Sequence, residues 1–174
     1  MLLAIDVSNT HTKVGVYDGD RLARHWRLQT DVDRTADEYG ALLLGLFGAS
    51  GLEPAEITGI IVSSVVPPIN QTVDELCRKF FGHQPLLVGP GVKTGMPILY
   101  DNPKEVGADR IVNAVAAYER TRGPSIVIDF GTATTFDYVT GKGEYLGGVI
   151  VPGIGISLAA LGAKTAKLPK VELV

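Results

Sequence analysis

Two aspartates in this chain each close a short apolar run, and small hydroxyl residues follow both. In Ser125–Gly148 (SIVIDFGTATTFDYVTGKGEYLGG), Asp129 ends the run Ile126-Val127-Ile128, and Gly131, Thr132, Thr134 and Thr135 come next. Such a run predicts a strand covered on both faces. A carboxylate at its end is costly unless a cation or hydrogen-bond donors meet it. Glycine lets a phosphate approach the backbone, and threonine offers O–H and N–H groups to it. One such stretch alone is compatible with an ordinary hairpin and a polar turn. The chain, however, opens on the same pattern, MLLAIDVSNTHTKVGVYDGDRL. Setting Asp129 on Asp6 places Gly131 on Ser8, Thr132 on Asn9, Thr135 on Thr12 and Val139 on Val16. A repeat of this long period predicts a duplicated domain rather than a solenoid. Two such hairpins facing one cleft would suit a nucleoside triphosphate with its metal. No GxxxxGK[ST] occurs and no GxGxxG follows a strand, so neither a P-loop nor a dinucleotide fingerprint is present.

The elements that must position these groups follow from pattern. Leu2–Val7, Lys13–Tyr17 and Arg21–Gln29 read as strands, with Asp18-Gly19-Asp20 as a tight turn. Thr35 and Glu38 form a capping box for a helix whose apolar face carries Tyr39, Leu42, Leu43, Leu46 and Phe47. Thr58–Ser64 is a strand, Pro67-Pro68 opens a helix to about Phe81, and Pro85–Val88 is a further strand. That gives βββαβαβ. After a loop, Asn102 and Pro103 predict a helix start, with Asp109 and Arg110 about two turns in and Ile111, Ala114, Val115 and Tyr118 on its buried face. Gly107 falls inside that expected helix, where it costs about 1 kcal/mol against alanine and implies close approach of another group. Phe136–Val139 and Glu144–Val151 read as strands, and Ile154–Ala163 as a helix. The second copy therefore holds fewer elements than the first. The expected division is residues 1–100 for the first half and 101–174 for the linking helix and the start of the second.

With 174 residues, 45% hydrophobic and 20% charged, the chain has the composition of a globular protein with one core or two small ones. A net charge of −3 argues against a nucleic-acid surface. Cys77 is the single cysteine, which predicts a small core residue and a reducing, cytoplasmic setting. Leu2–Val7 lacks a preceding basic region, so no signal peptide is expected. The least polar window, Gly147–Ala163, is interrupted by Pro152 and glycines and is not expected to span a membrane. His11, His25 and His83 share no metal-ligand spacing.

Five segments in order carry a family resemblance: IDVSNTHTKVGVYDG at Ile5–Gly19, SSVVPP at Ser63–Pro68, YDNPKEVGADRIVNA at Tyr100–Ala114, IDFGTATTFD at Ile128–Asp137 and YLGGVIVPGI at Tyr145–Ile154. Together they resemble the type III pantothenate kinases of the actin, Hsp70 and sugar-kinase superfamily. The first and fourth are shared loosely across that superfamily, and the third is more specific to the kinases. The resemblance implies a duplicated ribonuclease H-like (actin-like ATPase) α/β fold. It also implies transfer of the ATP γ-phosphate to pantothenate, the first step towards coenzyme A. By the same resemblance, Asp6, Val7, Ser8, Asn9, Thr10, His11, Thr12 and Lys13 form the ATP-phosphate segment, with Asp6 working through Mg²⁺ or its water, and Thr132 contacts ATP. Tyr100, Gly107, Ala108, Asp109 and Arg110 match pantothenate contacts, and Asp109 the general base. Asp129 matches the ligand of a monovalent cation, K⁺ or NH₄⁺. The family pattern has glycine where this chain has Ser8. Family chains also continue beyond the position of Val174 and include a further threonine against pantothenate.

The resemblance implies a homodimer with no nucleic-acid or membrane partner. Two rival readings stand beside it: a non-catalytic relative acting as a transcription accessory factor, and another phosphotransferase or phosphohydrolase of the superfamily. The GADR segment, Gly107–Arg110, argues against the second. With one helix available to a three-stranded sheet, the chain as given is expected to associate and to have little kinase activity.

Overall fold

The computed structural model describes residues 1–89 and 91–164. The chain divides into two compact units. The first comprises Met1–Val92 with Gly107–Asp109; the second comprises Lys93–Val106 and the chain from Arg110 onwards.

In the first unit, strand β1 (Leu2–Val7) alternates core and outward residues. Leu3, Ile5 and Val7 are buried, which turns Leu2, Ala4 and Asp6 to the other face. Strand β2 (His11–Asp18) returns antiparallel, placing Lys13 opposite Asp6, and β3 (Arg21–Gln29) pairs with β2. Helix α1 (Ala36–Ala49) starts at the capping box expected of Thr35 and Glu38. Its buried residues include Tyr39, Leu43 and Phe47, whereas Leu42 is exposed, so the apolar face is narrower than its sequence suggests. The chain then crosses to β4 (Gly59–Ser64), which lies parallel to β1 with Ser63 beside Asp6. Pro67–Ile69 form a 3₁₀ turn, and helix α2 (Asn70–Phe81) follows. Both prolines fall in the 3₁₀ turn, where their missing N–H groups cost nothing. Strand β5 (Leu86–Val88) completes a sheet of order β3-β2-β1-β4-β5. Phe47 packs at the centre of this core between Trp26 and Phe81. Cys77 is fully buried there, and burial, with Asp74 nearby, pushes its thiol up to about 12.

The second unit is a meander. Strands β6 (Ser125–Phe130), β7 (Ala133–Val139) and β8 (Tyr145–Pro152) pair antiparallel in chain order. Helix α3 (Ala108–Thr121) supplies Ile111 and Ala114 to a core with Met96, Val106, Val139 and Tyr145. Helix α4 (Ile154–Lys164) follows β8.

Three expectations need correction. The helix predicted from Asn102 does not run through Gly107. Asn102 caps a 3₁₀ turn over Pro103–Glu105, the chain breaks at Val106 and Gly107, and α3 begins at Ala108. Asp109 is therefore in the first turn of its helix rather than two turns in. Strand β6 is not covered on both faces. Its burial alternates, with Ile126 at 67% and Phe130 at 68% exposure, and its sole strand partner among the described residues is β7. Strand β7 also starts earlier than expected, at Ala133. Asp129 faces Thr135, the counterpart of Thr12, whereas Asp6 faces Lys13. The second hairpin turn is thus one residue shorter than the first.

Candidate active site

Each unit carries its own share of the candidate side chains. In the first, β1 delivers Asp6 to the end of a strand at the turn Ser8–Thr10. The turn closes on itself through Ser8 N–H donating to the His11 carbonyl at 3.1 Å. Thr30, at the end of β3, braces it. Its backbone N–H donates to the Thr10 carbonyl at 3.0 Å, and its hydroxyl donates to the Ser8 carbonyl at 2.7 Å. A hydroxyl has one proton, so the 2.9 Å contact between the Thr12 and Thr30 hydroxyls has Thr12 as donor. Nothing in the sequence pattern pointed to Thr30; it sits far along the chain from the turn it holds.

Asp6 Oδ2 accepts from Lys13 Nζ at 3.4 Å across the β1–β2 ladder. That pair is half-exposed and long, and such pairs contribute little to stability. Among the described residues, Asp6 Oδ1 is buried without a hydrogen-bond partner, and so is the hydroxyl of Ser63 beside it on β4. A buried carboxylate oxygen lacking a donor fits a metal-bound water or a hydrated cation, and hard oxygen donors suit Mg²⁺. Val7, in the same segment, is fully buried and packs in the core.

Gly107 and Asp109 also belong to this unit. A Cβ on Gly107 would lie 2.6 Å from Asp109 Oδ1 and 3.4 Å from Val65. Only glycine leaves room for the Asp109 carboxylate to fold back over the start of its own helix, whose N–H groups favour an anion there. The close approach expected at Gly107 is therefore made by Asp109 itself. Ala108, between them, is buried.

In the second unit, Asp129 at the end of β6 accepts from Asn113 Nδ2 on α3 at 3.0 Å. Its carboxylate and the neighbouring threonines are hard donors of the kind an alkali cation takes. The β6–β7 turn is tight: Gly131 N–H donates to the Ala133 carbonyl, and Gly153 N–H to the Thr132 carbonyl. No group of three or more His, Cys, Asp or Glu residues able to hold a metal ion is present among the described residues.

Arg110 has a buried setting in the same unit. Its Nε donates to Asp137 Oδ1 at 2.8 Å and its Nη2 lies 2.6 Å from the same oxygen. The Tyr145 hydroxyl donates to that oxygen at 2.6 Å. Asp137 is 1% exposed and Tyr145 fully buried. Burial, and then the hydrogen bond to Asp137, push the Tyr145 phenol well above its ordinary range. Removing one member of a buried ion pair costs about 3–5 kcal/mol, because the other charge is left unmet. Twin glycines on β8 make space for both predicted substrate contacts of this unit. A Cβ on Gly147 would lie 2.9 Å from the Tyr100 ring, and one on Gly148 would lie 2.7 Å from Arg110 Nη2. Asp137, Tyr145, Gly147 and Gly148 were not singled out as site residues. The available signal was an aspartate in mid-strand and a glycine pair in an otherwise apolar one.

The family model for type III pantothenate kinase matches residues 2–174. The chain is 62% identical to the type III pantothenate kinase of Anaeromyxobacter sp. (strain K), over 99% of this chain and 68% of that one. It is 59% identical to that of Moorella thermoacetica over 100% and 68% respectively. Among solved structures, a Campylobacter jejuni protein described as a Baf family transcriptional activator superposes with a TM-score of 0.57 at 16% identity, over 99% of this chain and 65% of that one. A 2-dehydro-3-deoxygalactonokinase from Sinorhizobium meliloti gives 0.53 at 14%, over 95% and 58%. At such identities these structures establish the actin-like, sugar-kinase fold and nothing finer. With its family model matched almost end to end and its relatives near 60% identity, the chain belongs to the type III pantothenate kinase family.

Proposed function

We propose that the chain carries out the ATP-dependent phosphorylation of pantothenate to 4′-phosphopantothenate, releasing ADP. Asp109 accepts the proton of the primary hydroxyl. The freed oxygen attacks the γ-phosphorus in line, and the bond from that phosphorus to the ADP oxygen breaks. Such transfers depend on positioning and charge neutralisation more than on covalent chemistry. The observation that carries the reading is Asp109. It stands in the first turn of α3, folded over a glycine, inside the segment most specific to the family.

Asp6 and its braced turn take the ATP phosphates with Lys13 and Thr132, while Tyr100 and Arg110 take pantothenate. Mg²⁺ bound with ATP supplies neutralisation of phosphate charge, and Asp6 Oδ1 is the group suited to its water. Asp129 is the group suited to K⁺ or NH₄⁺. A homodimer is part of the same proposal.

The test is a coupled ADP assay with pantothenate on a chain extended to the full length of its curated relatives, with the product identified by mass. Asp109→Asn should lower turnover by about 10²–10⁴-fold. ATP affinity measured by titration calorimetry should stay within twofold. Turnover should need K⁺ or NH₄⁺ and fail in Na⁺ alone. A mutant turning over at the wild-type rate would remove Asp109 from the role of base.

A further inference from the structure

We propose that Asp137, braced by Tyr145, is a positioning residue that aims the Arg110 guanidinium at the substrate. The inference rests on the reading of Arg110 as a pantothenate contact. An arginine side chain has several rotatable bonds and loses affinity for a ligand when it must be ordered on binding. Here the ordering is done beforehand. Arg110 Nε, Arg110 Nη2 and the Tyr145 hydroxyl converge on one oxygen, Asp137 Oδ1, at 2.8, 2.6 and 2.6 Å. Asp137 stands in the middle of β7, directly opposite Gly148 on β8. A Cβ at position 148 would lie 2.0 Å from the Phe136 carbonyl oxygen and 2.7 Å from both Asp137 Oδ1 and Arg110 Nη2, so the glycine is required by the neighbouring strand's backbone first and leaves room for the pair as well. Arg110 remains 13% exposed while the Asp137 side chain is 2% exposed, and Arg110 Nη2 is itself buried. A ligand is therefore closed off from the carboxylate and from Nη2, and the rest of the Arg110 side chain is the part it can meet.

Stability alone does not account for the cluster. Well-packed apolar side chains of the same volume usually serve a core as well as a buried ion pair or better. Tyr145 also belongs to that core, with Val139 and Ala114, and its buried hydroxyl donates to the Asp137 oxygen.

The experiment is titration calorimetry of the whole chain with pantothenate and, separately, with ATP. The proteins are wild type, Asp137→Asn, Tyr145→Phe, Arg110→Gln and the Asp137→Asn/Arg110→Gln double variant. Asp137→Asn is expected to weaken pantothenate binding about tenfold or more and to leave ATP binding within twofold; Tyr145→Phe should weaken pantothenate about threefold. The double variant should bind pantothenate no more weakly than Arg110→Gln, because Asp137 acts through the arginine. Pantothenate affinity within twofold of wild type in Asp137→Asn overturns the role, as does additivity in the double variant or an equal loss of ATP and pantothenate binding. If Asp137→Asn fails to fold by near-ultraviolet circular dichroism, Tyr145→Phe decides, and unchanged pantothenate affinity there overturns it. A wild-type chain that does not bind pantothenate sinks the functional reading and this role with it. A wild type that binds, with Asp137→Asn unchanged, sinks this role alone.

Discussion

At the scale of single residues, the carboxylates divide by what meets them. Asp137 is met by the Arg110 guanidinium and the Tyr145 hydroxyl, Asp129 by an amide, and Asp6 on one oxygen by a lysine and on the other by no group among the described residues. The turn after Asp6 owes its shape to Thr30, whose hydroxyl and backbone N–H close onto Ser8 and Thr10. This leads to a prediction. Thr30→Val keeps the side-chain volume but removes the hydroxyl, so the Ser8 carbonyl and the Thr12 hydroxyl each lose a partner. The loss of about 1–2 kcal/mol should appear mainly as a several-fold weaker affinity for ATP, read by calorimetry, with the melting temperature lowered by a few degrees. Unchanged ATP affinity would mean that the turn holds its shape without Thr30. The aspartates, the threonine-rich turns and the GADR segment were legible because each is a run of neighbours in sequence. Thr30, Asp137 and Tyr145 were not, because their partners lie from 8 to 27 residues away and only the folded strands bring them together.

At the scale of elements, the first unit was read nearly strand for strand, since its strands alternate and its first helix is marked at the start. Thr35 and Glu38 satisfy each other's backbone N–H groups reciprocally. Thr35→Ala should cost about 1 kcal/mol of stability, measurable as a lower denaturant midpoint with an unchanged slope. No change in midpoint would show that tertiary packing alone holds α1. The segment before α3 was misread for a physical reason. A capping asparagine, a proline and a glutamate three residues on suit a single 3₁₀ turn as well as a full helix. The glycine at 107 then marks the break between two elements rather than a defect in one. Strand β6 was misread because an apolar run shows that a strand wants covering and does not show what is there to cover it.

At the scale of the whole molecule, the apolar residues of the second unit's sheet decide behaviour in solution. Ile126, Ile128 and Phe130 share one side of β6, and Val149, Ile150 and Val151 on β8 are exposed as well. Soluble monomers rarely expose contiguous apolar patches beyond a few hundred Å². The chain as given is therefore expected to associate with concentration by light scattering, and an Ile128→Lys/Phe130→Lys variant should shift it towards the 18.5 kDa mass of one chain. A wild-type chain that stays monomeric at high concentration would count against this. The chain spans about 68% of the length of its curated relatives, and no helix among its described residues is long and apolar enough to cross a membrane. The contrast between the two sheets also has a kinetic side. The meander β6-β7-β8 joins each strand to its neighbour through a short turn, so every pairing closes a small loop. In the first unit β1 gains its second neighbour only when β4 arrives, with Leu2 meeting Gly59 across more than fifty intervening positions. On a ribosome, β1 must wait with an open edge until β4 has emerged, whereas the second meander can zip up as it is made. The same hairpin pattern thus sits in two folding contexts, one in which β1 waits for the distant β4 and one in which every pairing is local.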